Sequence, residues 1–529
     1  MFNWFLKVPK EPQTDPYRSP FYRVYRSLIG TAMRFRWLTL GGTAVLLALS
    51  VIGFSRVPDT FFGNSTRNQF FIDYWRTEGT AIEVTSEDTR QIEAFLKTLP
   101  EVQNVSSFIG SGSLRYILTY EHREPASCFS QLLVTADDWR NVPMIAEKVR
   151  EFMQAKLPDG MPQVRFFREG PSVSYAVELE IRGREALELH RLSERAQEIF
   201  AQFPETVELR DDWRQKVMVL RPEIREDAVK RAGLSRADIS RAVHTSLRGM
   251  LVGRLRVGED DIPILWRLPA AERADVEKLG MTQVYCPALN TFLRLDQLAF
   301  HLTNLKYEDP ILRRVDRKPA ITVQCNASGI PASVLREKAA AALKAADFRL
   351  PPGYEMAWRG EFEASEKGKR PLARIFPVCF LGMFLICVAM FDHLLQPVLI
   401  FLTVPLSVIG VTLGLLATGH SFEFLCIPGS LGLSGMLIKN GIVLVTDTDA
   451  MLASGKLSAW DAVIETAVTR FRPVVLASGT TILGVAPLLG DTFYGALSAV
   501  IVGGLLAATF LTLIVLPVLY AAAHRIPPR

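Results

Sequence analysis

The sequence predicts a membrane protein: an α-helical bundle of six transmembrane helices that carries one large α+β domain outside the bilayer. Three observations carry that prediction. Hydrophobic residues make up 49% of the 529 positions, and they are clumped into six long runs. Each run reaches the roughly 17–25 apolar residues that a helix needs to cross a bilayer. A single polar segment, Val57–Arg370, separates the first run from the other five, and it alternates strand-like with helix-like stretches.

In chain order, residues 1–36 alternate aromatics with Arg and Lys and lack the uninterrupted apolar core of a signal peptide. They read as an amphipathic helix lying on the inner membrane face. The first span follows at Trp37–Phe54, within a segment 37–56. In the external domain, 57–370, Phe70–Trp75 reads as a strand, Ser86–Leu99 as a helix capped by Ser86, and Gln103–Ile109 as a strand. A second round comprises Phe129–Thr135, the helix Val142–Leu157 and Gln163–Phe167. A third comprises Tyr175–Ile181, the helix Arg184–Phe203 and Lys216–Leu220. Such alternation favours helices packed on one sheet face. Val252–Leu268 reads as a hairpin turning at Gly258–Asp261. Five further spans occupy 371–523, at Ile375–Phe391, Pro397–Thr418, Phe422–Val445, Pro473–Leu489 and Ala496–Ala523, and a short tail fills 524–529.

Composition narrows the function. A net charge of +5 over this length does not suggest nucleic acid, so the lipid bilayer is the expected surface. No paired carboxylates, nucleophile triad, phosphate-binding loop or metal-site spacing of Cys and His stands out, which gives no sign of an enzyme, a cofactor or a bound metal. Cys128, Cys286 and Cys325 leave a disulfide open in an oxidising compartment. Arg34 and Arg36, then Lys456, Arg470 and Arg472, then Arg525 and Arg529 flank the span ends on one side if the chain crosses six times. The positive-inside rule makes that side cytoplasmic and places both termini there. Lys367, Lys369 and Arg370 lie on the opposite side, at the end of a long domain where the rule is weak.

The fourth run, which includes LSGMLIKNGIVLV (Leu433–Val445), buries a lysine, Lys439, in mid-span. A charge there costs about 3 kcal/mol on insertion scales and faces a partner as a rule. Asp447 lies eight residues on, roughly 12 Å along the axis, and the other five runs contain no Asp or Glu. Snorkelling to an interface is the bland reading. The functional one is a titratable site whose carboxylate partner lies outside the spans of this chain.

Several stretches carry a family resemblance: FFGNSTRNQFFIDYWRTEGTAIEVT after the first span, VGRLRVGEDDIPI in the hairpin, RRVDRKPAITVQCNASG, and GMLIKNGIVLV followed by FRPVVLASGTTILGVAPLL. In this order they resemble the C-terminal half of a resistance-nodulation-division (RND) efflux permease of the hydrophobe/amphiphile, acriflavin-resistance-like branch. The resemblance implies proton-driven multidrug efflux from the bacterial inner membrane. It implies a periplasmic region of ferredoxin-like porter subdomains with a docking subdomain that includes the hairpin. It also implies a trimer working with a periplasmic adaptor and an outer-membrane channel. The family's matching lysine pairs with two aspartates of the N-terminal half, so Lys439 implies a complementary half carrying intramembrane aspartates. DPYRSPFYRVYRSLIGTAMRFRWLTL resembles the linker between the two halves. A split transporter, a truncated non-transporting or modulatory fragment, and a self-pairing half-size machine then compete, and the last lacks a carboxylate at the level of Lys439. A half-size accessory of protein export is a further alternative. By the same resemblance the proton relay comprises Lys439, Asn440 and Arg470, with Ser478 or Thr480 serving where many members carry a threonine and this chain has Ala477. Asn440 reads equally as a packing amide and Arg470 as a positive anchor. Phe166, Phe167 and Tyr175 are candidate cargo contacts only loosely, since such residues are more often core. The scattered methionines, thirteen in all, disfavour heavy-metal efflux.

Overall fold

A computed structural model describes residues 20–63, 65–115, 117, 119–120, 122–171, 173–273, 275, 277–300 and 304–528. The chain divides into two compact units, the smaller comprising 77–79 and 213–312. The larger unit holds two α+β layers and the apolar helices. Within the reading of 1–36, residues 1–19 lie outside the described residues, and the remainder includes the helix Pro20–Arg34. It buries Tyr25, Ile29 and Met33 in a core shared with the ends of the fifth and sixth long apolar helices.

The first layer is a four-stranded antiparallel sheet in the order Val102–Ile109, Phe129–Ala136, Gln69–Trp75, Met161–Phe166. Side chains alternate across a strand. Phe70, Ile72 and Tyr74 therefore pack under the helices Ile82–Leu96 and Val142–Lys156, while Asp73 turns to the other face. There the fully buried Asp73 accepts from Arg123 at 3.1 Å, Arg165 at 3.0 Å and Gln131 at 2.7 Å. Ser86 does not cap its helix. The helix starts at Ile82, after Ala81, because the buried Thr85 anchors that turn by donating to the Ser127 carbonyl at 2.8 Å. This tertiary contact outweighs a local capping signal.

The second layer orders its strands Arg313–Val315, Lys318–Ala327, Val177–Arg182 and Glu355–Gly360, with Thr206–Asp211 also pairing on Lys318–Ala327. The helices Ala186–Phe200 and Ala332–Ala345 accompany it. The first of these is shorter at both ends than the apolar period suggests. Thr206–Asp211, TVELRD, was not visible as a strand because its alternation is mostly polar. Buried Cys325 and, in the smaller unit, buried Cys286 carry free thiols, so no disulfide joins them. Cys286 Sγ lies 2.8 Å from the Ala232 carbonyl.

The smaller unit has its own core of Val229, Ile239, Val284, Leu295 and Leu298. A capping box between Ser235 and Asp238 starts its helix Arg236–Leu247. The predicted hairpin is present as Met250–Val257 paired with Asp260–Trp266, and Gly258 supplies the positive φ of 65° that its turn requires. Nearly every hairpin residue is exposed.

Among the described residues six helices are long and apolar enough to cross a membrane: Arg36–Phe54, Glu361–Phe391, Leu395–Thr418, Cys426–Ala453, Ala459–Gly490 and Gly495–Ala523. The second begins directly at the end of strand Glu355–Gly360, 14 residues before its apolar run. The third is interrupted by a tight turn, Val404–Leu406, built around Pro405. The fourth starts at Cys426, later than Phe422, and runs on to Ala453. The fifth starts at Ala459, where the Ser458 hydroxyl caps the helix by accepting from the Asp461 N–H, and Pro473 lies inside it. Its added turns bury Ala462, Val463, Ala467 and Val468, a stripe that polar neighbours mask in a hydropathy reading. The third and sixth helices touch through glycine: a methyl on Gly410 would sit 2.2 Å from the Gly503 carbonyl oxygen. Such contacts suit membrane helices, which associate through close packing of small residues.

Candidate functional site

Lys439 sits at the midpoint of the fourth apolar helix, Cys426–Ala453. The helix holds its own polar groups well. Ser430, Ser434 and Thr448 each donate to a carbonyl four residues earlier at 2.8 Å, leaving no unpaired hydroxyl there. Its packed side carries Leu433, Leu437, Ile438, Gly441 and Leu444, while Lys439 falls on the exposed side with Gly432 and Thr446. A methyl on Gly432 or on Gly435 would meet nothing within 4 Å. Among the described residues the lysine thus lies on a smooth, uncovered stripe, with no ion pair or hydrogen bond.

The two carboxylates near the far end of the helix are engaged elsewhere. Asp447 is paired with Arg470 of the fifth helix. Asp449 accepts from the Tyr520 hydroxyl and, at 3.5 Å, from Gln396. The sequence carries a signal for the Asp447–Arg470 pair, since the two residues lie near facing ends of consecutive apolar helices. Asn440 is half-buried beside the lysine. Buried Ser478 shares a 2.8 Å hydrogen bond with Thr509 of the sixth helix. Thr480 is exposed and donates to the Ala477 carbonyl at 2.9 Å. Among the described residues no hydrogen bond or ion pair joins the five candidate relay residues to one another. Lys439 stands exposed, whereas Arg470, Ser478 and Thr480 each hold a separate partner.

A cavity of about 300 Å³ opens between the two α+β layers and the loop before the fourth helix. Phe62, Phe71, Tyr120, Phe166 and Phe167 supply its aromatic walls. The Arg165 guanidinium lies 5.8 Å from the Phe71 ring centre and 5.9 Å from that of Tyr120, within cation–π range. Arg168 is tied to Glu361 at 2.9 Å. Phe166 and Phe167 line the cavity. Tyr175 does not: it is 2% exposed, with Arg210 stacked 4.9 Å from its ring centre. Among the described residues no group of three or more His, Cys, Asp and Glu is placed to hold a metal ion.

The family profile of the AcrB/AcrD/AcrF efflux permeases, members of the RND superfamily, matches residues 15–524. The chain belongs to this family. Among its RND relatives, the cobalt-zinc-cadmium resistance protein CzcA of Cupriavidus metallidurans is 27% identical over 527 residues, covering 95% of this chain and 48% of that protein. The nickel and cobalt resistance protein CnrA of the same species is 26% identical over 502 residues, covering 91% of this chain and 46% of the other. Protein HelA of Legionella pneumophila is 24% identical over 522 residues. The chain spans about half the length of the curated relatives it matches. A crystal structure of a heavy metal efflux pump superposes with a TM-score of 0.79 at 21% identity, over 95% of this chain and 51% of that one. This likeness shows the RND fold. Two of these relatives are named for metal resistance, so they give no support to the hydrophobe/amphiphile branch expected from the sequence.

Proposed function

We propose that this chain forms the C-terminal half of a proton-driven RND efflux permease of the bacterial inner membrane, with both termini cytoplasmic and the large domain periplasmic. Lys439 carries the reading. It is a mid-span lysine on an exposed, glycine-smoothed face, and the nearest acids on its own helix are held by Arg470 and Tyr520. A charge so placed needs a carboxylate from a neighbouring helix, which a complementary six-span half supplies. Proton uptake by that carboxylate releases the lysine, and the change in pairing is the step that drives the external domain. Asn440, Arg470, Ser478 and Thr480 are assigned to the same relay. The assembly is a trimer with a periplasmic adaptor and an outer-membrane channel.

The cargo is assigned as a hydrophobic or amphiphilic compound, supported by the aromatic walls of the cavity. Export of divalent metal ions is a second reading, favoured by the names of CzcA and CnrA. The test is to purify the tagged chain from its native membrane, identify the membrane protein that accompanies it, and measure proton-dependent efflux of a fluorescent amphiphile and of zinc. A partner with intramembrane aspartates, and efflux abolished by Lys439→Ala, is the expected result. Full activity in the Lys439→Ala variant overturns the relay, and zinc transport without amphiphile transport replaces the cargo assignment.

A further inference from the structure

The second apolar helix, Glu361–Phe391, carries a charge pattern that the relay and the cavity leave unused. Its basic residues lie on the side of the large domain, against the usual distribution of Lys and Arg. Two of them are neutralised locally: Lys367 by Glu363 at 2.7 Å, and Lys369 by Asp59 at 2.7 Å. Arg370 and Arg374 are exposed and have no ion pair or hydrogen bond among the described residues, and the same holds for Glu366. These three stand at four-residue spacing, which places them on one helix face in steps of about 6 Å along the axis. The face continues away from the large domain through the exposed Val378, Leu381 and Leu385.

From the bilayer outward, this face reads as an apolar strip, two arginines and then a carboxylate. A phospholipid with an amine headgroup presents its parts in the same order: acyl chain, phosphate, ammonium. The face also has a shaped recess. A groove of about 640 Å³ is lined by Trp358, Phe362, Glu366, Arg370, Arg374 and Ile375. Arg336, stacked 4.3 Å from the Phe362 ring centre, steadies its upper wall. Ile375 marks the start of the apolar run, so the arginines lie within about two turns of it, at headgroup depth. Trp358 is the type of side chain that settles at that level.

We propose that this groove docks an aminophospholipid, phosphatidylethanolamine in type, from the leaflet on the side of the large domain. The phosphate is held by Arg370 and Arg374, the ammonium by Glu366, and an acyl chain lies along Val378 and Leu381. Fork-shaped guanidiniums suit a phosphate, and the carboxylate distinguishes an amine headgroup from a purely anionic one. The assignment does not depend on the cargo or on the relay.

The test uses the full-length chain in bilayer discs of phosphatidylethanolamine, phosphatidylglycerol and phosphatidylcholine in equal parts, with retained lipids counted by native mass spectrometry. Wild type is expected to retain phosphatidylethanolamine preferentially. The double variant R370Q/R374Q should retain it about tenfold to thirtyfold less, as expected for two interfacial positive charges. E366Q should keep phosphatidylglycerol while losing the preference for the amine lipid. Unchanged retention in the double variant overturns the site. So does displacement of the lipid by inorganic phosphate at low millimolar concentration, and an unaltered preference in E366Q removes the ammonium contact. All three positions are exposed, so the variants are expected to fold, and the melting temperature is checked for each.

Discussion

Replacing Asp73 by alanine tests how the first sheet tolerates charge on its buried face. Asp73 is fully buried, and its carboxylate is shared by Arg123 and Arg165, whose side chains are only 16% and 11% exposed. Removing it takes the shared carboxylate away from two nearly buried guanidiniums, a loss of about 3–5 kcal/mol for a broken buried pair. For a domain of about 150–250 residues each kcal/mol moves the melting temperature by about 2–4 °C, so a fall of roughly 10 °C is expected. Tryptophan fluorescence of the purified chain during heating follows it, since Trp75 lies two residues along the same strand. The triple variant D73L/R123M/R165M removes both signs of charge and should recover most of the loss, because apolar groups of similar volume replace buried ion pairs with little penalty. A melting temperature for D73A within about 2 °C of wild type, or a triple variant as unstable as D73A, refutes the reasoning.

Two further outcomes follow from the geometry. Gly410→Ala drives a methyl to within 2.2 Å of the Gly503 carbonyl oxygen and 2.8 Å of Gly504 Cα. It should lower stability in detergent by about 1–3 kcal/mol, whereas Gly382→Ala, with nothing within 4 Å of the new methyl, should not. Burial pushes the Asp212 carboxyl up to about 6, against the pull of the Thr322 N–H at 2.7 Å and of Arg313. A carboxyl with a raised folded-state pKa makes the fold lose stability as pH rises from about 4 to about 6, and the loss is complete above that. Asp212→Asn should flatten this dependence and raise stability at pH 7 by about 1–3 kcal/mol. Denaturant midpoints at pH 5 and pH 7 check the sign.

Sequence made the architecture readable wherever one period dominated. FFIDYW is a short run in which only Asp73 is polar, and the apolar runs of the helices are long, so the middles of these strands and helices fall where they are expected. The failures share a cause, which is a local signal overruled by a distant contact. Ser86 looks like a cap, but Thr85 and the Ser127 carbonyl set the helix start. Pro473 looks like a helix start, but the capping Ser458 lies 15 residues earlier, and Val463 and Ala467 hold the intervening turns in the core. At the candidate site, one residue type in an improbable place made Lys439 visible. The engagement of Asp447 by Arg470, and the exposure of the lysine, depend on which helix faces meet, and one strand of text does not encode that.

The continuous passage from strand Glu355–Gly360 into the helix Glu361–Phe391 makes a mechanical linkage. No loop separates the sheet from the span, and Gly360, at a φ of 66°, is wedged against the Tyr175 and Ala176 carbonyls, where a side chain would come within 2.9 Å of either. The helix behind it has 31 residues and is about 46 Å long. A swing of about 5° around that pinned glycine carries the far end roughly 4 Å, about the width of one interstrand step. Pro371 and Pro377 each remove an N–H from the shaft and give it defined places to flex. Bilayer thickness therefore bears on sheet geometry in this molecule: a membrane that forces the span to tilt turns a crank whose other end is the edge of a β-sheet.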